Sequence, residues 1–494
     1  MELHCKKPKS RDELLLYPHI DLWVDQDSSV RLIDLVVDMF TKENIETITC
    51  SGQTLKGCTS YGPGTLLKLL LYSYFNWIPG SRRIEKETYR NMEVIWLLGD
   101  LKPDHWTICK FRRENKDMIR MAAIEFRKFL LANGYIEGKT IVFDGSKMKA
   151  YAAREMYSEK TLNDRINNIE KHLGKYLDNS DETDELEDRL ENESKENKEL
   201  KNKIRKLEQE KAKLEVLKVQ LEKSDKNYIS LADPDSSLMK SRDGKMACYN
   251  VQTGVDAKRH MIVLAEATED ANDIGLLKDD FENIKVQLGL VPSEIIADAG
   301  YGNLNQIKEI EEIKEIEGTP GTKCIIPIQE STSKERDKAN GIEFIYDEQN
   351  DQYTCSNNKI LRLHQKNKKH HNHVYNDYKC DDCGNCPLRN KCTKSKTGRI
   401  IEVNINQPWI NDYKQRMAMP ENKEKIKQRK TIVEHPYGTI KMIMGKFCFL
   451  LRKKHKVQIE VDLYATVYNL KRLINIENMQ DLLNKVEKYN WKVA

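Results

Sequence analysis

At 494 residues, 39% of them apolar and 32% charged, the chain is long enough for about three structural units with cores of their own. Its 82 Lys and Arg nearly balance 78 Asp and Glu, a formal net charge of +4, so only local charge excess can point to a polyanionic partner. No run reaches the roughly 20 uncharged residues of a membrane span, and Met1-Glu2-Leu3-His4-Cys5-Lys6 lacks the apolar segment of a secretion signal. These features lead us to expect a soluble, cytoplasmic protein without a membrane partner. In that compartment its twelve cysteines stay reduced.

Residues 30–40, 64–78, 88–98 and 118–132 carry apolar side chains at helical spacing, and a further helix is predicted from Ile108, capped within Pro103-Asp104-His105-Trp106-Thr107. Asn133-Gly134 supplies a C-terminal stop. Arg112, Arg113, Arg120, Arg127 and Lys128 give this helical part the charge of a DNA-binding module. The pattern changes at Thr140. Residues 140–143 form an apolar run closed by Asp144-Gly145, as a buried strand would be. Strands over 246–255 and 260–266 follow, then a helix over 273–288 and a strand over 294–297 that again ends in an acid, Asp298. A helix over 303–316, a strand over 323–327 and a basic helical segment around Glu434 complete the series. The expected fold is α/β, a mixed five-stranded sheet flanked by helices.

Between the first and second strands, residues 151–226 read as two helices. Leu162, Ile166, Ile169, Leu173 and Leu177 mark the first, and Leu186, Leu200, Leu207, Leu214 and Leu221 a heptad position of the second, with Glu193 interrupting it. A helical hairpin is the simplest arrangement and a dimerising coiled coil the alternative. Further on, Cys380, Cys383, Cys386 and Cys392 place four thiolates within thirteen residues. That is the donor set of a structural Zn2+ site, favoured over an iron–sulfur cluster because nothing else suggests redox work. Cys355 and His373 are spare donors, and Lys366, Lys368, Lys369, His370, His371, Lys391, Lys394 and Lys396 form a basic rim. A second basic run, 441–456, includes Lys441, Lys446, Arg452, Lys453, Lys454 and Lys456 without an acid.

If the strands ending in Asp144 and Asp298 are neighbours, their carboxylates meet at one sheet edge, where a hard divalent cation such as Mg2+ or Mn2+ offsets their repulsion. Here the residues resemble a known family. Val433-Glu434-His435-Pro436-Tyr437-Gly438-Thr439-Ile440-Lys441, a Glu followed after six residues by Lys, is similar to the catalytic-glutamate signature of bacterial insertion-sequence DDE transposases. Asp233-Pro234-Asp235, Tyr249-Asn250-Val251-Gln252, Ala297-Asp298-Ala299-Gly300-Tyr301, Pro103-Asp104-His105 with Phe111-Arg112, and Tyr468-Asn469-Leu470-Lys471-Arg472 extend the likeness over nearly the whole chain. The signature's upstream Tyr and Arg have no clear match, Arg429 and Lys430 being the nearest basic residues. With Pro436 and Gly438 close behind it, Glu434 is expected at a helix start or kink.

The resemblance implies an RNase H-like catalytic core with a triad at Asp144, Asp298 and Glu434, holding two Mg2+ (or Mn2+) ions for cleavage and transfer of DNA strands. Lys441, Arg429, Lys430, Arg112 and Arg113 become the candidate DNA contacts. The implied partners are double-stranded DNA, as transposon ends and target, and a second copy of the chain on that DNA, in a bacterial, nucleoid-associated setting. The expected layout is an N-terminal helical DNA-binding domain (1–135), the core (136–150 and 227–328), the helical insertion (151–226), the Cys-rich zinc-knuckle-like insertion (329–400) and the C-terminal part of the core (401–494). A zinc-containing DNA-binding protein without catalysis, and an RNase H-like nuclease without strand transfer, are the alternatives.

Overall fold

The computed structural model describes residues 19–48, 61–151, 155–187, 195–241, 243–313, 321–328, 332–370, 373–380, 382–443 and 448–493. The reading of residues 1–6, Glu193 of the heptad series, His371 of the basic rim and Lys446 lie outside them.

Six helices open the described chain: α1 (Ser29–Glu43), α2 (Pro63–Phe75), α3 (Ser81–Arg90), α4 (Met92–Leu98), α5 (His105–Glu114) and α6 (Lys116–Ala132). Their ends follow local chemistry. Ser28 accepts the Val30 N–H at the start of α1, Pro63 opens α2, and the Asp104 carboxylate accepts the Thr107 N–H at 2.7 Å ahead of α5. Gly134, at φ +71°, follows the end of α6. One expectation is corrected: the apolar rhythm over 88–98 belongs to two helices. Asn91 between them is extended and its side chain caps α4. Asn's own hydrogen bonding there competes with helix continuation.

The central sheet is built from β1 (Thr140–Lys149), then, beyond β2 (Met156–Tyr157), α7 (Glu159–Glu187), α8 (Lys195–Glu222) and β3 (Ile229–Ser230), from β4 (Ser237–Ser241), β5 (Gly244–Asp256) and β6 (Ile262–Thr268). After α9 (Leu277–Leu288) come β7 (Glu294–Ile296), α10 (Leu304–Glu312) and β8 (Lys323–Ile325). β6, β5 and β1 run antiparallel, and β7 and β8 continue parallel to β1. The sheet is mixed, as expected, but has six strands instead of five. β4, which the sequence pattern does not announce, folds back on the start of β5 from Ser237–Cys248 to Ser241–Gly244.

The helical insertion is a hairpin whose ends are tied by β2 pairing with β3. Leu162, Ile166 and Ile169 of α7 pack on Leu214, Leu217 and Leu221 of α8. The Cys-rich region is more than a knuckle. After α11 (Thr332–Ala339), β9 (Phe344–Asp347), β10 (Gln352–Cys355), β11 (Ile360–His370), β12 (His373–Cys380) and, beyond α12 (Arg389–Cys392), β13 (Ile400–Asn404) form a second, antiparallel sheet. Four helices follow: α13 (Gln407–Ala418), α14 (Pro420–Ile443), α15 (Lys454–Ile476) and α16 (Met479–Lys488).

α15 joins the N-terminal helices to the sheet and is buried along most of its length. It also closes an open strand edge. Asn469 accepts from Ile262 N at 2.8 Å and donates to Ile262 O at 2.9 Å; Gln458 treats Ala267 N and Ala265 O in the same way. Side-chain amides thus stand in for the missing neighbour of β6, whose backbone groups would otherwise be buried unpaired.

Candidate active site

Asp144 lies within β1, two residues beyond Val142, which pairs with Ile296 of the parallel strand β7; Asp298 lies two residues beyond Ile296. Equal offsets on neighbouring strands place the two aspartates level at one sheet edge, with strand axes about 4.8 Å apart. The guanidinium of Arg429 bridges them, Nη1 standing 3.0 Å from Asp144 Oδ1 and Nη2 3.9 Å from Asp298 Oδ2. Burial pushes the Asp144 carboxyl above its ordinary range, further than Arg429 pulls it down, and the charges of Asp298 and Asp273 add to the push. Asp298 also accepts the Gly300 N–H at 2.8 Å, which fixes the turn after β7.

Arg429 comes from α14, which lies across the sheet face formed by Val142, Val255, Ile296 and Ile325 and packs Val433 into it. Arg429 and Val433 are four residues apart and share that face. Tyr437, one turn further, sets its hydroxyl 3.0 Å from Asp144 O, 2.7 Å from Val251 O and 2.8 Å from Thr253 Oγ1. Glu434 is exposed on the same helix, one turn before Tyr437. It is not at a helix start: α14 runs unbroken from Pro420 to Ile443 with Pro436 inside it. Burial of Val433, Pro436, Tyr437 and Ile440 outweighs the one backbone bond that a proline removes.

The structure therefore brings Asp144, Asp298 and Arg429 together and leaves Glu434 on the neighbouring flank of α14. Among the described residues, no three His, Cys, Asp or Glu are gathered about one ion position. Of the basic candidates, Lys430 and Arg113 are exposed; Lys441 lies on α14, but its side chain is not described. Arg112 turns inward, 3% exposed, with Nη1 donating to Tyr74 Oη at 3.1 Å and Pro79 O at 2.7 Å. Arg127 is buried too, and Arg120 is paired with Asp462 and Glu266. Three of the cations that gave the N-terminal helices their DNA-binding look thus serve internal packing.

The residues that sequence reasoning missed surround Asp144. Asp273 accepts from Asn250 Nδ2 at 2.6 Å and Gln252 Nε2 at 2.8 Å, with Lys147 Nζ 3.3 Å away, and Tyr301 donates its hydroxyl to Gln252 Oε1. Asn250, Gln252 and Tyr301 stood in motifs that carried the resemblance, but Asp273 looked like the first residue of a helix. Around the second sheet, Cys355, Cys380, Cys383, Cys386 and Cys392 all line one pocket with Asn357 and Arg399. Arg399 N and Asn357 Nδ2 each donate to a sulfur, Cys383 and Cys386 respectively, at 3.5 Å.

Residues 354–474 match the family model described as "Transposase DDE domain", and residues 18–114 the one described as "Transposase domain (DUF772)". The first match includes Glu434 and the cysteines; the stretch between the two holds Asp144 and Asp298. No curated protein and no solved structure matches the chain.

Proposed function

Because this chain belongs to the insertion-sequence DDE transposases, we propose that it binds the terminal repeats of its element and cuts and rejoins DNA through Asp144, Asp298 and Glu434. One observation carries the reading: two carboxylates level on adjacent parallel strands with a cation, the Arg429 guanidinium, already between them. A pair that holds a guanidinium has the charge and the oxygen donors to hold a divalent ion. Two Mg2+ or Mn2+ ions bound there would supply an activated water and stabilise the leaving 3′ oxygen. Asp144 and Asp298 would hold them from the sheet, and Glu434 would join from α14, one turn from the Tyr437 hydroxyl that touches the Asp144 backbone. Arg429, displaced from the aspartates, would then meet phosphate beside Lys430 and Lys441, and Arg113 would contact DNA from the N-terminal helices. Arg112 is not carried forward as a contact, since its charge is enclosed.

The sheet order β6-β5-β1-β7-β8, antiparallel then parallel, supports reading the core as RNase H-like, with the domain layout given above. The partners we propose are double-stranded DNA, as element ends and target, and a second copy of the chain on that DNA, in a bacterial cytoplasm at the nucleoid. Among the described residues no helix is long and apolar enough to cross a membrane.

The test is incubation of the purified chain with linear DNA bearing the element's terminal repeats and Mg2+ or Mn2+. Nicking at the ends together with joined products is expected. Binding without nicking would instead favour a DNA-binding protein without catalysis, and nicking without joining a nuclease.

We propose further that the cysteine pocket holds a structural Zn2+ through Cys380, Cys383, Cys386 and Cys392. The donor type fits, since soft thiolates suit Zn2+ and N–H groups already point at two of the sulfurs, while the four sulfurs would have to draw together from the pocket walls to share one ion. Elemental analysis should find about one zinc per chain; a preparation with neither zinc nor iron removes the assignment.

A further inference from the structure

A third carboxylate, Asp273, stands close to the two aspartates, and its surroundings argue against a mere helix start. α9 begins at Leu277, after Leu276, and has no side-chain cap. The Asp273 side chain turns instead to the sheet. Its Oδ1 takes the amide hydrogens of Asn250 and Gln252, both on β5, and Lys147 Nζ of β1 lies 3.3 and 3.4 Å from its two oxygens. Gln252 is oriented by this bond, because an amide that donates Nε2 to a carboxylate must present Oε1 on its other side. That Oε1 accepts the hydroxyl of Tyr301, which is fully buried in the turn after Asp298.

The chain of bonds thus runs from β1 through Asp273 and Gln252 to the segment carrying Asp298. Two glycines let it close. A Cβ on Gly145, next to Asp144, would lie 2.3 Å from Asp273 Oδ1, 2.7 Å from Gln252 Nε2 and 2.9 Å from Asn250 Oδ1. A Cβ on Gly300 would lie 2.8 Å from Asp298 Oδ1 and 3.5 Å from Asp273 Oδ2. The backbone beside each aspartate is bare where the Asp273 carboxylate approaches.

We infer that Asp273 is a positioning residue for the proposed reaction: through Gln252 and Tyr301 it holds the Asp298 turn in register with Asp144. This rests on the reading of Asp144 and Asp298 as the ion-holding pair. The sequence alone assigns Asp273 no such part. The network has a directional consequence. In Asp273→Asn the side-chain oxygen can still accept from Asn250 and Gln252, so what is lost is the carboxylate charge beside Lys147. Adding Gln252→Glu returns a carboxylate to the network, one that accepts both from the amide that replaces Asp273 and from the Tyr301 hydroxyl.

The experiment compares wild type, Asp144→Ala, Asp273→Asn and Gln252→Glu/Asp273→Asn for end cleavage across a Mn2+ titration, alongside DNA binding and thermal unfolding. For Asp273→Asn we expect cleavage, or the Mn2+ affinity it reports, to fall by about 10- to 100-fold, the usual effect of losing an outer partner of an ion site. DNA binding and unfolding temperature should stay at wild-type values, and the double variant should recover most of the loss. Asp273→Asn cleaving like wild type at every Mn2+ concentration overturns the inference alone. So does a loss of cleavage that tracks a lowered unfolding temperature and is not recovered by the double variant. A wild type that does not cleave, or an Asp144→Ala variant that cleaves as well as wild type, overturns the reading of the site and this inference with it.

Discussion

Asp144→Ala and Asp298→Ala should each reduce cleavage of element ends by about 10^3-fold or more while leaving DNA binding intact. Ion-assisted stabilisation of a phosphodiester transition state is worth several kcal/mol, and about 4 kcal/mol corresponds to 10^3-fold in rate. Glu434→Ala should behave alike if α14 delivers its carboxylate. Thermal unfolding of each variant separates this result from a loss of folding, and for Asp144 the pH dependence has a sign. Burial holds its carboxyl above the ordinary range, so the folded state favours the protonated form. Its contribution to stability is complete below the unfolded pKa, near 4, and is lost as pH rises through the folded value. At pH 7 that contribution is gone, but Asp144→Asn also takes the charged partner from Arg429, itself 9% exposed, so its unfolding temperature should fall, though by less than that of Asp144→Ala. Variants that cleave normally would remove the catalytic reading; variants that fail to cleave only because they melt early would leave a structural role in its place.

Asp462→Ala should cost about 3–5 kcal/mol of folding stability, measured by chemical denaturation. Asp462, 1% exposed on α15, stands 2.6 Å from Arg120 Nη1 and 3.8 Å from Arg127 Nη2, both on α6, and Arg120 also pairs with Glu266 of β6. Arg127 is itself enclosed, donating to Ala123 O and Val263 O. Removing one partner of a buried charge group leaves the other charges uncompensated, and that penalty exceeds what the pair contributed. Burial, the largest influence, pushes the Asp462 carboxyl up to about 6. Its pH-dependent contribution is therefore full below about 4 and fades as pH rises through about 6. The isosteric Asp462→Asn should flatten the fall in stability between those values. A stability change under about 1 kcal/mol for Asp462→Ala would show that α6 and α15 are held by apolar packing alone.

Much of this architecture was legible in the residues. The apolar runs before Asp144 and Asp298 are strands because a buried parallel strand is apolar on both faces, and a shared edge was expected if the two were neighbours; Asp144 does not end its strand, however, since β1 continues to Lys149 in antiparallel register with β5. The helical hairpin followed from Leu162, Ile166, Leu214 and Leu221. Periodicity failed where two signals overlapped. Asn91 splits a continuous apolar rhythm by capping, Pro436 fails to split one because its neighbours are buried, and the Cys-rich sheet hides in polar strands such as Ile360–His370, which face solvent too widely to show a period of two.

What the amino-acid order determined by itself is local: which segments are strands or helices, where most caps and turns fall, and that two acids each follow an apolar run. Only tertiary structure decided what each charge does. Arg112, Arg127 and Arg429 read alike in one dimension, yet the first two are enclosed by helices and the third is drawn onto an aspartate pair. Asp273 looks like any helix-opening acid until packing sets it against amides from β5. Periodicity is a property of neighbours along the chain, whereas a charge takes its role from partners up to hundreds of residues away and from the water that folding removes.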